Sequence, residues 1–288
     1  MKNALFGPAG NSISFYEAGM KATVQAPGWV KKLGLGAYEY QAGKGIFGSD
    51  DTFTKIGEKA AEHDIKLSLH APYYISLSSV EEEKRLKSVE YILSSARVCS
   101  LLGADVFVVH SGSTAKLDRE EAMKYAEETL EAAAVALDAS GYTAKAGLET
   151  MGKLNQLGTL DEVLRLCKVS LRHYRPVVDF GHLNARTQGG LASEDDFKRV
   201  FDTVARELSP EHAEELHCHF SKIEYTAKGE KKHLTFDDTV YGPSYEHFIS
   251  AITSLGVHPT VICESDGTMA EDALAMQKLY EEKQKTLC

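Results

Sequence analysis

Six apolar runs in this 288-residue chain close on a histidine or an acid. They are LSLHAP on His70, VFVVHSG on His110, AGLETMG on Glu149, PVVDFGH on Asp179 and His182, ELHCHFSK on His217, and TVICESDG on Glu264. One such ending is common; six at similar intervals constrain the fold. Counting NALFG at 3–7 and AYEYQ at 37–41, the chain holds eight strand-like segments, the others at 66–71, 105–111, 145–150, 176–180, 214–219 and 259–264. They recur at steps of about 30 to 45 residues, the length of one βα unit. Most are continuous apolar runs, as expected where both faces of a parallel sheet are covered.

Helical patterns lie between the strands. In 118–139, Asp118 can cap the first turn, with Glu121 three residues later as its partner, and Ala122, Tyr125, Thr129, Ala133 and Leu137 share one side. In 81–102, Leu86, Val89, Leu93 and Ala96 form a second stripe that Gly103 stops. Segments 52–63, 159–168, 194–208, 243–255 and 269–284 also read as helices, and Pro27 with Gly28 is expected to break a helix over 11–34. No Pro/Ser-rich linker divides the chain. Eight units without a break predict one domain over 1–288, a (β/α)8 TIM barrel in preference to an open doubly wound sheet. A barrel keeps its active site at the C-terminal ends of its strands, so the polar strand ends are expected to converge there.

Composition narrows the function classes. Hydrophobic residues make up 43% and charged residues 26%, ordinary for a soluble globular protein. No apolar run approaches the roughly 20 residues of a membrane span. The N-terminal MKNALFGPAGNS lacks an export signal, and the five cysteines show no CxxC spacing, so a cytoplasmic location with reduced thiols is expected. The formal charge of −10 argues against non-specific nucleic-acid binding, although cations held in a site would change the local balance.

The converging residues are metal-ligand types. Neutral imidazole nitrogens with hard carboxylate oxygens suit Zn²⁺ or Mn²⁺. Eight residues form the candidate set: His70, His110, Glu149, Asp179, His182, His217, His233 and Glu264. A single histidine at a strand end is usually a hydrogen-bonded core residue. The carboxylates are harder to explain that way, because an acid after four or five buried apolar residues is costly without a partner. Eight ligands exceed the needs of one ion, and Glu149 has two oxygens with which to bridge a pair. His217 and His219 alternate with Cys218, so both share one strand face and spacing alone does not choose between them.

The same residues resemble the endonuclease IV family, the zinc-dependent apurinic/apyrimidinic (AP) endonucleases within the xylose-isomerase-like TIM barrels. HAPYYISLSS at 70–79 is similar to that family's HAPY-x-I-N-L segment, and His110-Ser111-Gly112 to its His-Pro-Gly. Leu148-Glu149-Thr150, Leu157-Gly158-Thr159, Asp179-Phe180-Gly181-His182 and Cys263-Glu264-Ser265 follow in the family's order. Leu216 to Lys222 resembles H-L-N-D-(S/A)-K, and that match selects His217 over His219. The resemblance runs from about residue 66 to 284. It implies one ion on His70, His110 and Glu149, a second on Glu149, Asp179, His217 and Glu264, and a third on His182 with an Asp-x-His pair. Here the sequence departs: His233 is present, Lys231 stands at the Asp position, and Glu230 is the nearest acid.

By that resemblance the expected function is hydrolysis of the DNA phosphodiester 5′ to an abasic site. Glu149 would be the catalytic carboxylate, with two or three zinc ions (Mn²⁺ as the alternative), abasic DNA as partner and a monomeric chain. Tyr73 corresponds to the family tyrosine that enters the duplex, whereas the 41–50 loop offers Lys44 and not the family's arginine. A tyrosine packed on the barrel rim is the plainer reading of Tyr73. Lys222, Lys228, Lys231 and Lys232 read as a basic loop beside the mouth. The alternative function is a one-metal sugar isomerase or epimerase, which the quartet of Glu149, Asp179, His217 and Glu264 would serve. A barrel that binds DNA or sugar without turnover is a third reading.

Overall fold

A computed structural model describes residues 3–287; Met1, Lys2 and Cys288 lie outside the described residues. Eight parallel strands build the barrel: β1 Leu5–Pro8, β2 Ala37–Gln41, β3 Lys66–His70, β4 Val106–His110, β5 Lys145–Glu149, β6 Tyr174–Asp179, β7 His217–Phe220 and β10 Thr260–Cys263. Between the last two, β8 Lys222–Thr226 and β9 Gly229–Leu234 form an antiparallel hairpin. The strand order β1-β10-β7-β6-β5-β4-β3-β2 runs once around. At the remaining seam Gly36 N–H donates to Phe6 O at 3.1 Å and Gly10 N–H to Glu39 O at 2.9 Å. Gly7 makes that closure sterically feasible, since a Cβ there would lie 1.8 Å from the Ala37 carbonyl oxygen. The TIM barrel expected from the strand rhythm is the observed fold.

The helices are α1 Ile13–Glu17, α2 Ala26–Leu33, α3 Asp50–His63, α4 Glu82–Leu102, α5 Arg119–Ser140, α6 Leu160–Cys167, α7 Phe180–Arg186, α8 Glu194–Glu207, α9 Pro210–Glu214, α10 Tyr245–Leu255 and α11 Met269–Leu287. Local signals set their ends. Asp118 accepts from the N–H groups of Glu120 and Glu121 to start α5, and Gly103 adopts the left-handed conformation (φ 67°) that stops α4. The break expected at Pro27 and Gly28 falls earlier instead. Pro27 sits in the first turn of α2, where its missing N–H has no intrahelical role. The strand expected from 214 begins at His217, because Ser209 caps α9 immediately before it.

Side-chain alternation divides each strand between two environments. Along β3, Leu67 and Leu69 join the apolar shell under the helices, while Ser68 and His70 face the barrel interior. Phe180, Phe197, Phe201, Phe220 and Phe248, all buried, pack into one aromatic cluster with ring centroids 4.8–6.5 Å apart. Burying a side chain of that size stabilises by roughly 1.5–3 kcal/mol. This shell fixes the strands, and the parallel direction brings their C-terminal ends to one rim. Cys99, Cys167, Cys218 and Cys263 are buried free thiols. No helix among the described residues is long and apolar enough to cross a membrane.

Candidate metal centre

The rim gathers seven of the eight candidate residues with His219 beside them, whereas His217 lies deeper. His70, His110, Glu149 and Asp179 are the last residues of β3 to β6. Asp179 also caps α7: its Oδ1 accepts from His182 N–H at 2.7 Å, which turns the chain so that His182 follows on the same side. Among the described residues four sets of ligand atoms each lie within 4.8 Å, three of them at the rim: His70, His110 and Glu149; Glu149, Asp179, His219 and Glu264; and His182, Glu230 and His233; the fourth, Glu39, His217 and His219, lies deeper.

His217 belongs to the deeper set and not to the one with Glu149, Asp179 and Glu264 that the motif match implies. In register, His219 lies opposite Asp179, whereas His217 lies opposite Val177, two residues deeper. At roughly 3.3 Å per residue, that is about 6–7 Å below the rim. His219 Nδ1 is 2.9 Å from Glu149 Oε1 and 3.4 Å from Glu264 Oε1. His217 Nε2 instead meets Glu39 Oε2 at 3.1 Å on the barrel floor. Glu39 was missed in the sequence. The cost argument applied to the other strand acids would have flagged it, since it stands between Tyr38 and Tyr40 with no exposure.

The third set depends on a β-bulge. Across the hairpin, Glu224 pairs with Lys232 and Tyr225 with Glu230, so Lys231 has no opposite residue. Two residues in a regular strand that are three apart face opposite ways. The extra residue reverses the alternation, and Glu230 and His233 therefore both face His182. Lys231 swings out to an ion pair with Glu224 at 2.6 Å. His182 Nε2 is 3.4 Å from Glu230 Oε2, and Ser221 Oγ lies 2.8 Å from His233 Nδ1. The segment read as a basic loop is thus a hairpin, and Lys222 is consumed by the carbonyls of Phe236 and Asp238.

The electrostatics would suit a cation. Glu149 Oε2 and Asp179 Oδ2 are buried without a hydrogen-bond partner among the described residues. Glu149 Oε2 lies 3.3 Å from His110 Nε2 and 3.7 Å from His70 Nε2. An ionised oxygen left unpaired in a buried site is expensive, and a divalent cation is the partner its surroundings accommodate. Burial alone would raise the Glu149 pKa, but the imidazoles of His219, His70 and His110 outweigh it and hold the carboxyl well below its usual range. Burial lowers the His182 pKa, and the carboxylates of Asp179, Glu149 and Glu230 overcome this to push it up to about 9. Glu264 is raised by burial, against the pull of His219 and His233. The donor set, mixed imidazole nitrogen and carboxylate oxygen with open acceptors, fits Zn²⁺ or Mn²⁺.

The centre opens into a cleft of about 790 Å³, whose rim includes Tyr73, Lys153, Gln156, Lys231 and Lys232. Tyr73 is 53% exposed and its ring stacks on His110 with centroids 5.1 Å apart, so it is neither a core tyrosine nor a free one. The 41–50 loop places Phe47 outward, 72% exposed. The loop at 151–158, which contributes Lys153 and Gln156 to the rim, is held from outside. Arg119 donates to Leu154 O and Gln156 O, and Arg186 to the carbonyls of Met151, Lys153 and Gln156.

Comparison with known proteins places this geometry among related barrels. The xylose isomerase-like TIM barrel family matches residues 27–282. An uncharacterised protein of Methanocaldococcus jannaschii is 32% identical over 278 residues, covering 96% of this chain and 97% of its own. A probable endonuclease 4 of Acholeplasma laidlawii is 33% identical over 97 residues, about a third of each chain. Among solved structures, endonuclease IV from Thermus thermophilus superposes with a TM-score of 0.65 at 16% identity, covering 99% of this chain and 100% of its own. A D-tagatose 3-epimerase-like protein superposes with a TM-score of 0.66 at 19% identity, covering 99% and 98%. At these identities the superpositions establish the fold, and they do so equally for a nuclease and an epimerase.

Proposed function

Because the chain belongs to the xylose isomerase-like TIM barrel family, and because its mouth assembles three ligand sets and not one, we propose that it is a metal-dependent phosphodiesterase. Its substrate in this reading is DNA, cut on the 5′ side of an abasic site. The observation that carries the reading is the set His182, Glu230 and His233, beside two sets that share Glu149. A sugar site on one ion needs only Glu149, Asp179, His219 and Glu264, which leaves His70, His110, His182 and the bulged hairpin without a task.

Ions held by these sets would supply Lewis-acid polarisation of a phosphoester oxygen and a more acidic attacking water. The chain's own groups do the positioning. Glu149 is the catalytic carboxylate: it belongs to two ligand sets and lines the cleft where an attacking water would be aligned. Lys153, Lys232 and Gln156 at the rim offer donors to phosphate oxygens. Tyr73, exposed above His110, is placed to enter a base stack where one base is missing. The acidic total charge is compatible with this, since the residues facing the cleft decide the local field.

The test is incision of a duplex carrying one abasic site, beside an intact duplex, with and without chelator. Cutting is expected only at the abasic site and only with metal, and Glu149→Ala or His110→Ala should abolish it. Full activity in either variant or in metal-stripped protein would remove the mechanism. The equal structural likeness to an epimerase favours a ketose epimerase as the second reading. Metal content separates the two: two or three ions per chain support the nuclease, and one ion with sugar turnover supports the epimerase.

A further inference from the structure

We propose that Glu39, on the floor of the barrel, is a positioning residue that fixes which ring nitrogen of His219 faces the metal centre. Glu39 is fully buried in the middle of β2 and faces the interior. Its two oxygens are already occupied. Ser68 Oγ donates to Oε2 at 2.8 Å, and Gln41 Nε2 donates to Oε1 at 3.2 Å. His217 Nε2 lies 3.1 Å from Oε2, and His219 Nε2 hydrogen-bonds to Oε2 at 3.3 Å and lies 3.2 Å from Oε1. Glu149 Oε2 and Asp179 Oδ2 differ in that each is buried without a hydrogen bond among the described residues, its near neighbours being the imidazoles of other candidate ligands, His110 Nε2 at 3.3 Å and His182 Nδ1 at 3.2 Å.

That contrast assigns the roles. A carboxylate with four donors around it has no lone pair in need of an ion, whereas the two with open oxygens do. His219 bridges the layers: Nε2 points down to Glu39, and Nδ1 points up to Glu149 Oε1 at 2.9 Å and Glu264 Oε1 at 3.4 Å. A neutral imidazole that donates its Nε2–H to Glu39 presents the Nδ1 lone pair to the centre. A carboxylate behind a ligating histidine sets its tautomer, its orientation and its basicity. The same carboxylate holds His217 below the rim, so that residue supports the site and does not ligate. Glu39, His217 and His219 also lie within 4.8 Å of one another, but Ser68 and Gln41 use two of the four acceptor positions of Glu39, and with both imidazoles donating none is left for a separate ion.

The inference rests on the metal-binding half of the proposed function and not on its substrate. The test is titration of metal-stripped protein with Zn²⁺ against a chromophoric chelator, alongside the melting temperature of the metal-free form. Glu39→Gln should bind as many ions at saturation as the parent, with one of them weakened about 10- to 100-fold. Ser68→Ala, which removes one donor to Glu39, should weaken the same ion by a smaller factor. A purely structural role would lower the metal-free melting temperature and leave the zinc affinities unchanged, and that result overturns the proposal. Loss of a whole ion at saturation in Glu39→Gln also overturns it, since Glu39 would then be a ligand. If Glu39→Gln does not fold, Ser68→Ala decides by the same readout. Failure of abasic-site incision would remove the DNA reading without touching this one, whereas a parent chain that binds no zinc removes both.

Discussion

Glu162, in the first turn of α6, is a carboxylate with its demands met by the chain itself. It accepts from the N–H groups of Gly158 at 2.8 Å and Thr159 at 2.9 Å and forms a two-point pair with Arg119, whose Nη2 is 2.8 Å from Oε2. Burial would raise its pKa, but the Arg119 pair and the two backbone donors outweigh it and hold it at about 2. With the folded pKa depressed, the stabilisation is fully present above the unfolded value and is lost as pH falls through about 2. Glu162→Gln should therefore cost on the order of 2 kcal/mol near neutral pH. The gap should narrow below about pH 4.3, the ordinary glutamate value, and close near pH 2. Denaturant melts of both proteins across that range measure it, and a gap independent of pH would show the ion pair to be idle. Because Arg119 also holds the 151–158 loop, the variant should loosen the rim of the cleft as well.

The hairpin β8–β9 shows how an irregular element repairs an altered motif. Lys231 stands where the resemblance places an acid, and a regular strand would leave the third ligand set without a carboxylate. The bulge turns Glu230 inward in its place. Gly229 allows the hairpin to sit close against the 151–158 loop: its φ is +90°, and a Cβ there would lie 2.2 Å from Gly152 O. Glu230→Ala should reduce the metal content at saturation by one ion per chain while the sets around Glu149 keep theirs, as read by elemental analysis of dialysed protein. Unchanged content would mean that the hairpin does not hold an ion. Deleting Lys231, the unpaired residue of the bulge, should leave Glu230 and His233 two positions apart on one face of a regular strand and so keep the same ion.

At the scale of the whole barrel, the rim concentrates Glu149, Asp179 and Glu264 with five imidazoles in a buried space. Without cations, imidazole protons are the available counter-charge, which is why burial loses to the carboxylates at His182. Any ion that binds the folded chain and not the unfolded one adds stability by mass action, about 4 kcal/mol at a thousandfold excess over its dissociation constant. Chelator treatment should therefore lower the melting temperature by several degrees, and Zn²⁺ or Mn²⁺ should restore it. A melting temperature indifferent to chelator would contradict a resident metal.

The sequence by itself determined the barrel, because eight apolar runs at βα spacing leave few ways to bury both faces of a parallel sheet. It also determined most of the rim, because a polar residue at the end of such a run faces the mouth wherever the strand itself ends there. His70, His110, Glu149, Asp179, His182 and Glu264 were legible for that reason. Depth along a strand was not legible. His217 and His219 share a face, and only the register with β6, together with the partner Glu39 from a strand far away in the chain, decided which reaches the rim. Nor was the bulge at Lys231 visible, since whether Glu230 or Lys231 turns inward depends on pairing across the hairpin and not on local spacing. Local pattern sets which face a side chain takes, whereas its height in the barrel and its partner are properties of neighbouring strands.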